Sequence, residues 1–112
     1  IAKNTKKRPL TLYVVDNASI DGTADFIEKS GQAIVIRNTD NVGFGAAHNA
    51  VVKETLGKYH FVINPDITIN SDVISDMVDY FEENPDVVMA MPKILNFDGS
   101  EQKLPKERPT FK

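Results

Sequence analysis

The chain has 112 residues, which is enough for one compact domain with a modest core and too few for two. A net charge of −3 provides no electrostatic attraction for nucleic acid, so we expect no nucleic-acid partner. Cysteine is absent, which excludes disulfides, zinc thiolate sites and thiol catalysis.

The first predicted elements are a strand and a helix. Residues 10–15 form an almost continuous apolar run rich in β-forming residues, which is typical of a buried strand. A helix is predicted over residues 21–30. Asp21 is its expected N-cap, and Gly31 lies where a C-terminal cap belongs.

The same alternation continues through the middle of the chain. Residues 33–36 predict a second buried strand, and residues 44–56 a second helix that ends at Gly57. Residues 59–63 predict a third strand, which the turn-forming sequence at 64–66 interrupts.

The last predicted helix is amphipathic. Ser71 is its expected N-cap, and Asn84-Pro85 is its expected end. Its apolar residues recur with helical spacing at Ile74, Met77, Val78 and Phe81. A fourth strand is predicted over residues 87–91 and a turn at Asp98-Gly99, and residues 101–112 are expected to be loosely ordered.

Alternating strands and helices joined by short connections indicate an α/β fold with a mostly parallel sheet and right-handed crossovers. In such sheets, ligands bind beyond the carboxyl ends of the strands. Three polar segments follow the predicted strands there: residues 16–17, 37–41 and 64–66. If the strands are parallel, these segments converge on one rim.

The chemistry of this rim suits a nucleotide. Asp16 can accept a hydrogen bond from a pyrimidine N–H, and Asn17 can both donate and accept. Gly43 and Gly45 permit close backbone approach where a helix N-terminus favours a diphosphate. Asp66 can supply one oxygen to Mg²⁺ or Mn²⁺. Aspartate and asparagine after a strand are also common turn formers, so the residues alone leave both interpretations open.

Four segments, in order and with natural spacing over about residues 10–100, resemble family 2 glycosyltransferases. Residues 14–23 read V-V-D-N-A-S-I-D-G-T, and residues 41–49 read N-V-G-F-G-A-A-H-N. Residues 61–66, F-V-I-N-P-D, resemble the strand that ends in the family's metal-binding D-x-D, in the N-P-D form of rhamnosyltransferase-like members. Residues 92–100, P-K-I-L-N-F-D-G-S, resemble the stretch that follows.

The resemblance implies a Rossmann-like GT-A fold, a three-layer α/β/α arrangement with a mostly parallel sheet. It also implies roles for individual residues. Asp16 would contact the base of the nucleotide-sugar donor, and Asn17 would lie beside it. Asn41 and Gly43 would line the nucleotide pocket. Asp66 would hold a divalent metal, Mg²⁺ or Mn²⁺, on the donor diphosphate.

The implied reaction is an inverting transfer of the sugar to a saccharide or lipid-linked acceptor, with an Asp or Glu as general base. Asn64 stands where the family has its first D-x-D carboxylate, and His48 where many relatives have arginine. The family default is polysaccharide or glycolipid assembly for the cell envelope, in the cytoplasm or peripheral to the inner face of the membrane. The N-P-D form favours a dTDP- or UDP-sugar.

The resemblance also predicts that residues 1–112 are a partial GT-A domain, incomplete at both ends. Residues 1–5 resemble the tail of a helix that follows the family's first strand, and the general base is expected beyond Lys112. That first strand normally lies between the strands ending at Asp16 and Asp66. We therefore expect unpaired strand edges, self-association through them, and no transferase activity of residues 1–112 alone.

Three other functions compete with this one. The first is a nucleotide-binding α/β domain that transfers no sugar. The second is a flavodoxin-like or receiver-like signalling module, for which Lys93 would be the late lysine but Asp16-Asn17 is a poor acidic pair. The third is a purely structural interaction module.

Overall fold

A computed structural model of the protein describes residues 1–55 and 57–102. Its elements follow the order β1 (Tyr13–Asp16), α1 (Thr23–Ser30), β2 (Ile34–Arg37), α2 (Phe44–Val52) and α3 (Val73–Glu83). The predicted α/β class is confirmed. No helix in these residues is both long and apolar enough to cross a membrane.

The centre of the fold is a βαβ unit. β1 and β2 pair in parallel, with Tyr13 opposite Ile34 and Asp16 opposite Arg37. Helix α1 packs against β2, and α2 packs against β1. Because the two strands are parallel and in register, the residues that follow them emerge at the same edge of the sheet.

Two helix starts differ from the prediction by one residue. Helix α1 has Gly22 as its N-cap, at φ 81°, and Asp21 instead accepts a hydrogen bond from the Thr23 amide at 3.0 Å. Hydrogen bonds from the side chain and the backbone amide of Thr23 lower the Asp21 pKa. The N-cap of α3 is Asp72 and not Ser71, because the Asp72 carboxylate accepts from the Ser75 amide at 3.3 Å.

Asp72 also ties the start of the chain to α3. Its second carboxylate oxygen accepts from the backbone amides of Lys6 and Lys7, at 2.9 and 3.2 Å. These backbone bonds, led by the one from Lys6, lower the Asp72 pKa to about 2. Residues 1–5 form a turn in which the Thr5 amide bonds to the Ile1 carbonyl at 3.1 Å.

The helix ends were predicted with mixed success. Gly31 caps α1 in the left-handed conformation, at φ 65°, and Asn84 is the C-cap of α3, both as expected. Helix α2 was expected to continue to Leu56 but ends at Val52. Its last turn is closed by a tight bond from the Glu54 amide to the Val51 carbonyl. Leu56 itself lies outside the described residues.

The predicted strands at residues 59–63 and 87–91 are not formed. Neither segment pairs with another strand in the described part of the chain, and an apolar run without a ladder partner does not become a strand. Residues 88–91 are also exposed rather than buried, and Val88 has 95% of its surface accessible. The observed sheet therefore has two strands where four were expected.

A cavity of about 1040 Å³ lies between β1 and residues 59–63. The cavity is lined by apolar residues of three regions: the segment around β1, residues 59–63, and helices α2 and α3 (Leu10, Leu12, Val14, Phe61, Ile63, Val51, Ile74 and Val78). β1 has no partner strand on this side within residues 1–55 and 57–102, so the expected unpaired edge is present.

The core is small and comes mainly from the helices. Its buried apolar residues are Ala24, Ala47, Val51, Ile74 and Val78. Met77 and Phe81 of the predicted stripe are half-buried, and Phe81 stacks on Tyr59 with 5.7 Å between ring centroids. The turn at Asp98-Gly99 is present, closing an isolated antiparallel bridge between Leu95 and Glu101. Of the segment expected to be loosely ordered, residues 103–112 lie outside the described residues.

Candidate functional site

The rim predicted beyond β1 and β2 is formed. Asp16 ends β1 and is 7% exposed, and its carboxylate accepts from the Ser19 amide at 3.3 Å. This bond closes a turn in which Ala18 adopts a left-handed conformation with φ 66°. Asp16 therefore shapes the turn after β1 while presenting a carboxylate at the end of the strand.

Asn17 joins this turn to the segment that follows β2. Its Oδ1 accepts from the Val42 amide at 3.0 Å and from the Asn38 side chain at 3.2 Å. Its Nδ2 donates to Asn41 Oδ1 at 2.7 Å, and that same oxygen accepts from the Gly43 amide at 3.0 Å. The structure thus brings Asn17, Asn41 and Gly43 together in one hydrogen-bonded group.

Gly43 is the N-cap of α2, with φ 81° and ψ 167°. Essentially only glycine populates this backbone region, so its identity is explained by conformation. No side chain caps α2 at this position, and the first amides of a helix have no partner within the helix. Amides of this kind favour an anion at the helix N-terminus.

Arg37 was expected after the second strand but is the last residue of β2, and its side chain bonds to α1. Its guanidinium donates to Asp25 Oδ1 at 2.6 Å and to Glu28 Oε2 at 2.7 Å, both on α1. The ion pair raises the pKa of Arg37 and lowers that of Glu28. Arg37 therefore links β2 to α1, and the rim chemistry is left to the residues that follow it.

The third polar segment reaches the same region through the cavity. Asn64 and Pro65 line it together with Asn17, Phe44 and His48. Phe44 and His48 are one turn apart on α2 and pack edge to face, with 4.3 Å between ring centroids. Sequence patterning alone does not select these two rings as site residues. Their i, i+4 spacing at the start of a helix was the available signal.

Asp66 lies in an exposed turn closed by a bond from the Ile67 amide to the Asn64 carbonyl, at 3.3 Å. A second Asn-Pro-Asp, at residues 84–86, forms the same kind of turn, with the Val87 amide bonded to the Asn84 carbonyl at 3.0 Å. The turn by itself therefore indicates no metal. What distinguishes Asp66 from Asp86 is that its neighbours Asn64 and Pro65 line the cavity.

The described residues contain no group of three or more His, Cys, Asp or Glu side chains able to hold a metal ion. A single exposed carboxylate instead fits the way proteins hold Mg²⁺ together with a substrate's phosphates, where one or two carboxylates suffice. Asp66 is thus compatible with a divalent metal that arrives on a diphosphate, and not with a preformed metal cage.

Comparison with known proteins gives the class to which this fold and rim belong. A family model described as "Glycosyl transferase family 2" matches residues 1–111, so the chain belongs to glycosyl transferase family 2. The family resemblance is confirmed, and it implies the Rossmann-like GT-A fold. The receiver-like and flavodoxin-like alternatives are thereby excluded.

Among curated proteins, the chain is similar to the poly(ribitol-phosphate) beta-N-acetylglucosaminyltransferase TarS of Staphylococcus aureus strains Mu50 and MW2. Each is 26% identical over 106 residues, covering 90% of this chain and 18% of the relative. The chain therefore spans less than a fifth of the length of these relatives. No solved structure matches the chain significantly.

Proposed function

We propose that the chain binds the nucleotide-sugar donor of an inverting glycosyltransferase, at the rim beyond β1 and β2. The observation that carries the proposal is the group formed by Asn17, Asn41 and Gly43, which joins the end of β1 to the N-terminus of α2 beside the cavity. Membership in glycosyl transferase family 2 supports it.

Two parts of the donor suit two parts of the rim. The buried Asp16 carboxylate, with one bond to the Ser19 amide, retains acceptor capacity for a pyrimidine N–H. The uncapped N-terminus of α2 beyond Asn41 and Gly43 suits the diphosphate. We therefore assign Asp16, Asn17, Asn41, Gly43 and Asp66 to the donor site.

Asp66 would hold a Mg²⁺ or Mn²⁺ ion carried by the diphosphate. When bound, such an ion neutralises the negative charge that develops on the departing nucleotide. Because Asn64 replaces the first carboxylate of the family motif, the protein's share of the metal site rests on Asp66. We infer from this that metal affinity is low without nucleotide and rises when the diphosphate is present.

The donor proposed is a UDP- or dTDP-sugar, and the acceptor a saccharide or lipid-linked chain of the cell envelope. The relative TarS is named for N-acetylglucosaminyl transfer to poly(ribitol phosphate), so an N-acetylglucosamine donor is the first to test after the bare nucleotides. We place the reaction in the cytoplasm, peripheral to the membrane.

The test is calorimetric titration of UDP and dTDP, with and without Mn²⁺, into the chain and its Asp66→Ala variant. The matched control is Asp86→Ala, which removes the same carboxylate from the other Asn-Pro-Asp turn. We expect metal-dependent binding that Asp66→Ala loses and Asp86→Ala retains. Equal losses in the two variants would remove Asp66 from the site.

A further inference from the structure

Residues 39–42, between β2 and α2, make no backbone–backbone hydrogen bond within residues 1–55 and 57–102. The loop is nevertheless fixed at its end, because Asn17 accepts from the Val42 amide and Asn41 accepts from the Gly43 amide. The conformation of this loop therefore depends on side-chain hydrogen bonds. Those that connect it to the end of β1 are made by Asn17.

The orientation of both side-chain amides is determined by the backbone. The Val42 and Gly43 amides can only donate, so the atoms that face them in Asn17 and Asn41 must be oxygens. This leaves the Asn17 Nδ2 facing Asn41 Oδ1 at 2.7 Å, which is a favourable donor–acceptor pair. The three contacts require a side chain at position 17 that both accepts and donates, as the asparagine amide does.

Asn17 has little bonding capacity left for a ligand. Its oxygen already accepts two hydrogen bonds, from Val42 and Asn38, and one of its two N–H groups is bonded to Asn41. A side-chain amide offers two acceptor positions and two donors, so one N–H remains. The geometry is that of a connecting residue rather than a ligand-reading one.

We propose that Asn17 is a positioning residue, which sets the N-terminus of α2 against the end of β1 through Val42, Asn41 and Gly43. This proposal rests on the donor-binding function proposed above. Asn17 affects donor binding by holding the backbone amides at the N-terminus of α2 in place. Loss of the Asn17 donor leaves Asn41 two options. Either Asn41 Oδ1 faces an oxygen atom of the residue at position 17, or the Asn41 side-chain amide rotates and its oxygen no longer accepts from the Gly43 amide.

The test compares Asn17→Asp with Asn41→Asp, two variants that add the same negative charge at positions in direct contact. Asn41→Asp retains an oxygen acceptor for both Asn17 Nδ2 and the Gly43 amide. Asn17→Asp retains the acceptor for Val42 but removes the donor to Asn41. Any repulsion of an anionic ligand is similar in the two, so their difference isolates the lost donor. Asn17→Ala removes every bond of the group to position 17.

The first readout is amide hydrogen exchange by NMR on the ligand-free chain. We expect Asn17→Asp to speed exchange at Gly43 roughly fivefold while Val42 stays protected, and Asn17→Ala to speed exchange at Val42 by a similar factor. Asn41→Asp should leave both amides protected. Unchanged exchange at Gly43 and Val42 in both Asn17 variants would overturn the proposal.

The second readout is affinity for UDP and dTDP in the presence of Mn²⁺. Asn17→Asp should weaken binding roughly fivefold more than Asn41→Asp does, because only the former releases the α2 N-terminus. Equal weakening would show that Asn17 does not act through the loop. Absence of nucleotide binding by the unaltered chain would refute the proposed function instead, and the exchange rates would still decide whether Asn17 holds the loop.

Discussion

Replacing Gly43 by alanine tests the conformation on which the candidate site depends. Gly43 has φ 81° and ψ 167°, and a Cβ placed there meets no atom within 4 Å. The cost of Gly43→Ala therefore comes from backbone strain and not from a clash. Residues forced into such regions lose about 1–3 kcal/mol. We expect the variant to be destabilised by that amount.

The neighbouring Gly45 provides the matched control. It lies in the first turn of α2 without a positive φ, and a Cβ there also meets nothing within 4 Å. Gly45→Ala should therefore stabilise the chain by about 0.4–1 kcal/mol, because alanine restricts the unfolded chain more than glycine does. The same glycine-to-alanine change at two positions two residues apart is therefore expected to shift the free energy of unfolding in opposite directions.

The assay is urea and thermal unfolding followed by circular dichroism. A change of 1 kcal/mol corresponds to a shift of roughly 4–8 °C in Tm for a domain of about this size. Gly43→Ala should also weaken nucleotide binding, since the α2 N-terminus must move to relieve the strain. Two variants that shift Tm in the same direction by the same amount would refute the backbone assignment at Gly43.

Two further predictions concern Asp72 and the open edge of the sheet. The Asp72 pKa is about 2 in the folded chain against 3.8 unfolded, so its stabilising contribution is complete above about pH 4 and is lost as the pH falls towards 2. Asp72→Asn should flatten the dependence of unfolding free energy on pH in that window, and an unchanged dependence would contradict the assignment. Sedimentation velocity should show concentration-dependent self-association that Val62→Lys suppresses, since Val62 is an exposed apolar residue of segment 59–63, which pairs with no strand in the described residues, and a charge there opposes backbone pairing with a second chain. Val52→Lys, at a position of matched exposure (54% against 55%) on α2, should associate like the unaltered chain, and a monomer at every concentration would contradict the prediction.

The parts of the fold that sequence predicted are those decided by local chemistry. The run at residues 10–15 predicted β1, and Gly31 predicted the end of α1, because apolar patterning and a left-handed cap depend on a few adjacent residues. The caps at Asp21 and Ser71 were each wrong by one position. At α3 two neighbouring polar residues can accept an amide bond and a tertiary contact makes the choice, whereas at α1 the N-cap is Gly22 without a side-chain bond and Asp21 accepts locally from the Thr23 amide.

Asp72 shows how tertiary contacts decide. Ser71 and Asp72 are both good N-cap residues, so the sequence does not separate them. Asp72 also accepts from the amides of Lys6 and Lys7, residues 66 and 65 positions away, and Ser71 makes no such contact in the described part of the chain. A long-range bond of this kind selects the cap but leaves no trace in the local pattern.

The strands that failed to form have a related explanation. Residues 59–63 carry a β-forming pattern, yet a strand exists only when another backbone supplies its hydrogen bonds. β1 obtains them from β2 on one side, where the Ile34 amide bonds to the Leu12 carbonyl. Across the cavity, β1 and residues 59–63 face each other without a ladder between them.

The size of that gap suggests what is needed to fill it. A strand advances about 3.3 Å per residue, lies about 4.8 Å from each neighbouring strand and packs in a layer about 10 Å thick. A five-residue strand therefore occupies roughly 800 Å³. The cavity, at about 1040 Å³, is of that order. A backbone that bonded to both β1 and residues 59–63 would extend the sheet beyond β1 and make residues 59–63 one of its strands. Residues 64–66 would then follow a strand of the same sheet as Asp16, and Asp66 would be held at the rim by the sheet rather than by an exposed turn.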